Sequence, residues 1–208
     1  MELFADRAEA GALLAERLPD ARDPVVLALP RGGVAVAVPV ARRFGAPLDV
    51  LVTRKIGYPP QPELGVGAIA EGGEPVFDLA LLHRLGLTPE SVAGVVEEER
   101  RELARRVRAY RGERALPPLE GREVIVVDDG LATGGTARAA LRAVAAAKPA
   151  RVTLAVPVGA RGTVEALRQE ADEVVALLTP VDFRAVGQWY EHFEQLSDED
   201  VLDLLGAA

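Results

Sequence analysis

Residues 124–136 read VIVVDDGLATGGT, and an alanine-rich run follows through Ala147. A β-branched run ends in two carboxylates, Asp128 and Asp129, and a glycine follows at once. Side-by-side carboxylates at a strand end can accept hydrogen bonds from two vicinal sugar hydroxyls. Successive strand residues point to opposite faces, so the pair can share one ligand only where the strand is ending, and Gly130 supplies that ending. Next come Ala132, Thr133, Gly134, Gly135 and Thr136. Small residues let backbone N–H groups approach an anion, the threonines add hydroxyl donors, and a helix N-terminus points at the same place. One helix end supplies only ~0.3–2 kcal/mol, so several charge-assisted bonds of roughly 1.5–3 kcal/mol each are needed to hold a phosphate.

A second stretch repeats the pattern. VVLALPRGGVAVA, residues 25–37, is again apolar strand, glycine turn and helix start, now with a cation at Arg31 beside Gly32 and Gly33. A guanidinium with adjacent backbone donors suits a second anion. The triphosphatase P-loop is the nearest competitor for the first stretch. Gly130 to Gly135 has its spacing, but Thr136 stands where its lysine belongs. A receiver-type phospho-acceptor domain would need its acidic pair after the first strand, where this chain has PRGG.

Strands are expected at 24–29, 48–53, 123–128, 151–157 and 173–178, with helices at 5–18, 33–44, 136–147 and 161–170. Alternation of this kind predicts an α/β fold, a parallel sheet flanked by helices on both faces. EVIVV is too apolar for a surface strand and should be central. Pro39 predicts a kink or a late start in the second helix. Residues 54–67 form a Pro/Gly-rich excursion, and GAIAEGGEPVFD should turn at Gly72-Gly73. A long helix is expected over 88–111, capped by Thr88 and ended by Gly112, with Glu97/Arg101 and Glu102/Arg106 as i,i+4 pairs. A last helix should start behind Ser197.

The chain has 208 residues, net charge -8, no cysteine and two histidines, His83 and His192. It is expected to form a single domain over 1–208, with a possible helical insertion at 79–117 and a hood at 180–208. The acidic balance argues against nucleic acid as a partner. Two distant histidines argue against a His-based metal site. With no long apolar run and no signal-like start, a cytoplasmic protein without membrane contact is expected. Asparagine is absent and lysine occurs twice, a bias that heat adaptation and a GC-rich genome explain equally well.

VIVVDDGLATGGTARAA resembles the PRPP-binding motif of the type I phosphoribosyltransferases, closest in wording to that of the adenine enzyme. The resemblance extends over roughly residues 24–195. It implies that Asp128 and Asp129 lie at the ribose 2′- and 3′-hydroxyls and that Ala132 to Thr136 wrap the 5-phosphate. Arg31, Gly32 and Gly33 would form the pyrophosphate loop. TRKIG, residues 53–57, stands where the family has a flexible loop that brings basic residues to the reaction centre, which makes Arg54 and Lys55 catalytic candidates. The tail resembles the hood over the nucleobase, with Phe183 or Trp189 as stacking candidates. The implied reaction transfers 5-phosphoribose from PRPP to a small nitrogenous acceptor with magnesium as cofactor, in a homo-oligomer, a dimer being favoured. Ala132 occupies the position at which the 6-oxopurine enzymes carry an acidic base, which counts against hypoxanthine or guanine. A PRPP- or nucleotide-sensing regulator on the same fold is the alternative.

Overall fold

The computed structural model describes residues 3–208. Five parallel strands form the central sheet: β1 (Val25–Ala28), β2 (Leu48–Val50), β6 (Glu123–Val127), β7 (Arg151–Val158) and β8 (Glu173–Leu178), in spatial order β2-β1-β6-β7-β8. The expected parallel α/β fold is therefore present, and β6 is its middle strand. Alternation along the strands explains the two-sided burial. Val26 and Val127 face a core shared with α1 (Arg7–Arg17) and α2 (Gly32–Phe44). Leu27 and Val126 face the opposite core, covered by α5 (Gly135–Ala146) and α6 (Arg161–Leu167). The strand order reverses between β1 and β6, and ligands of open α/β sheets bind beyond the carboxyl ends of strands at such a point.

The excursion after β2 is more ordered than its Pro/Gly content suggests. The parallel strand stops at Val50, and Thr53 already begins β3 (Thr53–Tyr58), which pairs antiparallel with β4 (Gln61–Ala70). A turn at Glu71–Gly73 then leads toward β5 (Val76–Phe77), which pairs with β4 and completes the expected hairpin. This small sheet packs on α5 through Ala68 and Ala70 against Ala139. Its other contact, Ile56 and Val66 with Leu82 and Val96, joins it to α3 (Leu79–Arg84) and α4 (Ala93–Arg111).

Several helix boundaries differ from the sequence reading. The expected helix 88–111 opens as a 3-10 turn, Pro89–Val92, capped by Thr88 and Ser91 reciprocally, before α4 begins. Glu97 pairs with Arg100 at 3.4 Å instead of Arg101, whereas Glu102–Arg106 forms as expected at 2.9 Å. Pro39 sits inside α2, which runs unbroken from Gly32 to Phe44. The helix expected to reach residue 170 stops at Leu167. The last helix, α7 (Asp198–Gly206), starts behind Ser197 as expected.

Arg111, the last residue of α4, fastens this helical pair to the sheet. It is 4% exposed. Its guanidinium donates to the Val50 carbonyl at 3.1 Å, lies 3.6 Å from the buried Asp49 carboxylate and bonds Glu71. Removing one partner of a buried ion pair leaves the other charge uncompensated, at a cost of about 3–5 kcal/mol. Arg111→Ala should therefore lower the stability read from urea unfolding by about that amount. A loss under ~1 kcal/mol, the scale of an exposed pair, would show that the contact is not buried in solution.

Candidate functional site

The two glycine turns meet at the switch point. A Cβ added to Gly33 would lie 2.8 Å from the Val127 carbonyl oxygen and 3.0 Å from the Asp128 Cα. One added to Gly32 would lie 1.9 Å from Asp129 Oδ2. Only glycine lets the loop after β1 come this close to the end of β6. The Leu29 N–H donates to the Val127 carbonyl at 2.8 Å and extends the strand pairing to the edge of both turns. The Pro30–Arg31 peptide is cis.

Helix capping sets these turns apart from most other helix starts in the chain. Asp6 caps α1, Ser197 caps α7, and Thr88 caps the turn that enters α4. Among the described residues no side chain caps α2 or α5, nor the short α6 that leans on the second turn. The first N–H groups of a helix have no partner within it, so the uncapped start of α5 leaves donors for a ligand; at α2 the Gly33 and Val34 N–H groups already donate to the Leu29 and Arg31 carbonyls, which leaves Gly32. Gly134 opens α5 in the left-handed region, φ 76°, with Thr163 and Leu167 packed against it. The Thr163 hydroxyl donates to the Ala132 carbonyl at 2.7 Å and braces the loop from α6. Thr133 is exposed and Thr136 half-buried at this opening.

Asp128 and Asp129 directly follow the end of β6. Burial, and then the neighbouring Asp129 charge, hold the Asp128 carboxyl well above the ordinary carboxylate range. Burial also raises Asp129, against the opposing hydrogen bond from Arg7. Arg7, in the first turn of α1, donates from Nε to Asp129 Oδ2 at 2.9 Å and from a terminal nitrogen to the Glu194 carbonyl at 2.9 Å. Its guanidinium lies 3.9 Å over the Phe193 ring. Phe193 stacks on Tyr190 with ring centroids 5.0 Å apart, and the Tyr190 hydroxyl donates to the Asp129 carbonyl at 2.6 Å. Burial pushes the Tyr190 phenol well up, so it remains a donor across the physiological range. The tail thus wraps the acidic pair through Tyr190, Phe193 and Arg7.

Arg31 extends beside this arrangement. It donates to the Leu196 carbonyl at 3.0 Å, and its Nε lies 3.2 Å from Asp198. A cavity of about 290 Å³ opens here, lined by Arg7, Arg31, Gly32, Arg106, Gln195 and Leu196.

Three sequence expectations need correction. Arg54 and Lys55 lie on β3, in an ordered hairpin, and not on an open loop. Arg54 is bound to Glu99 at 2.6 Å and Lys55 to the Glu63 carbonyl at 3.1 Å, and both line a separate cavity of about 500 Å³. Trp189 is 3% exposed and packs into the core with Phe4, Val158 and Tyr190, so its ring offers no open face to a flat ligand. Phe183 is half-buried against the same cluster. Arg7 and Arg106 carried no signal, being two arginines among many. The aromatic cluster of the tail was the available signal for Tyr190 and Phe193.

A family model described as the phosphoribosyl transferase domain matches residues 7–190. The chain belongs to this family. A protein of two Mycobacterium tuberculosis strains, whose name assigns it provisionally to the phosphoribosyl transferases, is 46% identical over 100% of this chain. The alignment covers 47% of that protein, so the chain spans about half the length of the curated relatives it matches. The crystal structure of TT1426 from Thermus thermophilus is 46% identical, with TM-score 0.82 over 99% of this chain and 98% of that one. A purine phosphoribosyltransferase from Pyrococcus horikoshii shares the fold at 17% identity, with TM-score 0.50 over 94% of this chain and 98% of its own. Among the described residues, no helix of this phosphoribosyl transferase domain is long and apolar enough to cross a membrane.

The raised Asp128 carboxyl makes a signed prediction. Its folded value lies above the unfolded one of about 3.9, so its stabilising contribution is complete below that pH and is lost as pH rises through the folded value. Asp128→Asn keeps the oxygen that accepts the Asp129 N–H at 2.8 Å and removes the charge. The variant should gain on the order of 1 kcal/mol at pH 7, or ~2–4 °C in Tm, with the gain shrinking toward pH 4. A variant less stable than wild type at pH 7 would contradict the assigned electrostatics.

Proposed function

We propose that the chain transfers the 5-phosphoribosyl group of PRPP to a nitrogen of a small acceptor, a nucleobase in the simplest case, and releases pyrophosphate. One observation carries this reading: two uncapped glycine-turn helices converge on an acidic pair at the switch point of the sheet. A sugar phosphorylated at both ends matches that layout. The α5 turn, Ala132 to Thr136, would hold the 5-phosphate, Asp128 and Asp129 the ribose hydroxyls, and Arg31 with Gly32 and Gly33 the pyrophosphate. Gly135 fits this assignment, because a Cβ there would meet no protein atom within 4 Å and the fold itself sets no demand for glycine.

In the reaction, the bond from the anomeric carbon to pyrophosphate breaks and pyrophosphate departs with the electron pair. The acceptor nitrogen forms the new bond to that carbon, and its proton passes to the departing pyrophosphate or to water. Asp128 and Asp129 orient the ribose for this displacement, and positioning supplies much of the acceleration. A ribose hydroxyl on Asp129 Oδ2 would displace the Arg7 hydrogen bond, whereas one on Oδ1 would leave it in place. Among the described residues, no group of three or more His, Cys, Asp or Glu is placed to hold a metal. The acidic pair still fits magnesium, which commonly takes one or two carboxylates and completes its shell with phosphate oxygens and water. Bound there, it would neutralise charge on the leaving group.

A second reading, a PRPP or nucleotide sensor, is favoured by the engagement of Arg7 with Asp129 and of Arg54 and Lys55 with glutamates. Pyrophosphate release from PRPP and magnesium, assayed across purines, pyrimidines and simple amines, separates the two. The transferase reading expects release with at least one acceptor. Saturable PRPP binding with no release for any acceptor would favour the sensor. Under either reading, Asp128→Asn with Asp129→Asn should weaken PRPP binding by about 100-fold, the scale of two charge-assisted hydrogen bonds. Unchanged affinity would remove the ribose assignment.

A further inference from the structure

The long helix α4 does more than cover the small sheet. Its stripe of Val96, Leu103 and Tyr110 is buried, while its charged face runs past the loop after β1. We infer that Arg106 of α4, together with Arg7 of α1, supplies side-chain cations to the pyrophosphate end of the ligand; the inference rests on the proposed PRPP reading.

The cavity beside Gly32 is the first support. Three guanidiniums, from Arg7, Arg31 and Arg106, line a volume of about 290 Å³. Asp129 engages Arg7, Asp198 engages Arg31, and Glu102 engages both Arg106 and its neighbour Arg105. Each cation is paired in the free protein, so an anion entering the cavity would draw these guanidiniums from carboxylates it displaces or shares.

The bonding of Glu102 is the second support. It accepts two bonds from Arg105, at 2.7 Å each, and a third from Arg106 Nε at 2.9 Å. These bonds hold the Glu102 carboxyl down at about 2, with the Arg105 bond the largest cause. Arg105 is already a two-bond partner, so Glu102 stays neutralised when Arg106 turns away. Arg106 spends one of its roughly five donors among the described residues. It can therefore swing to an anion at little cost. Arg54, by contrast, is tied to Glu99 on the same helix. Glu99 lies seven residues before Arg106, about two turns or ~10 Å along the axis.

Arg7 completes the arrangement: a ribose hydroxyl that takes Asp129 Oδ2 releases the Arg7 Nε. That guanidinium already lines the cavity and stays oriented by the Phe193 ring and the Glu194 carbonyl. Such a displacement would couple binding of the sugar and of the polyanion through this one side chain.

Calorimetric titrations at fixed ionic strength test the inference, with magnesium pyrophosphate, PRPP and ribose 5-phosphate as separate probes. Arg106→Gln should weaken pyrophosphate and PRPP binding by about 10- to 100-fold, the scale of one or two charge-assisted bonds, and leave ribose 5-phosphate unchanged. Arg101→Gln makes the same change in net charge on the same helix but is exposed and lies outside the cavity lining, and should leave all three affinities unchanged. Equal losses in the two variants would reduce the effect to a general field and overturn the inference. So would an Arg106→Gln protein that loses ribose 5-phosphate as well, or one with unaltered pyrophosphate binding. A wild-type protein that binds pyrophosphate but not PRPP would sink the proposed function and leave the anion site standing. One that binds neither would sink both.

Discussion

Two carboxylates stand next to each other at the end of a strand buried on both faces, and the rest of the site is arranged around that fact. Like charges this close, with little water to screen them, oppose their own ionisation. The chain answers with Arg7 on one oxygen, a backbone N–H on another and the Tyr190 hydroxyl on the adjoining carbonyl. Each comes from a different part of the chain. The N-terminal helix, the tail and the central sheet are thereby made interdependent at one point.

The same crowding explains the glycines. The loop after β1 can reach β6 only because Gly32 and Gly33 have no side chain to collide with Asp129 and with the Asp128 backbone. Close approach brings the uncapped start of α2 beside the acidic pair, and α5 leaves from the strand that carries it. Neither helix caps itself, whereas α1, α7 and the turn entering α4 use Asp6, Ser197 and Thr88. At the start of α5, where the fold gives the first N–H groups no internal partner, a ligand is the natural acceptor.

The legible part of the molecule was the part encoded locally. Val124 to Thr136 announced a buried strand, its ending and an anion-ready helix start within one short run of the chain, and the parallel sheet followed from the alternation around it. What could not be read depends on partners far apart in the chain. Arg7 meets Asp129 across 122 residues, and nothing in the spacing of either marks the pair. Arg106 looked like one charge on a solvated helix, because its distance from Gly32 is a property of how α4 lies on the sheet. The tail aromatics were visible as a cluster, but burial chose among them: Trp189 went into the core, while Tyr190 and Phe193 brace the site. The β3–β4 hairpin was obscured by prolines and glycines at its turn, where Pro59 and Pro60 join two strands without needing ladder donors.

Under the proposed reading, Arg7 would stand as the gate between the protein's own ion pair and a bound sugar. A crystal structure with PRPP and magnesium tests this most directly. The prediction is the 5-phosphate on the backbone of residues 132–136, both ribose hydroxyls on Asp128 and Asp129, and the Arg7 Nε released from Asp129 toward the pyrophosphate. A sugar bound while the Arg7–Asp129 pair stays intact, or phosphates seated away from the two glycine turns, would contradict it.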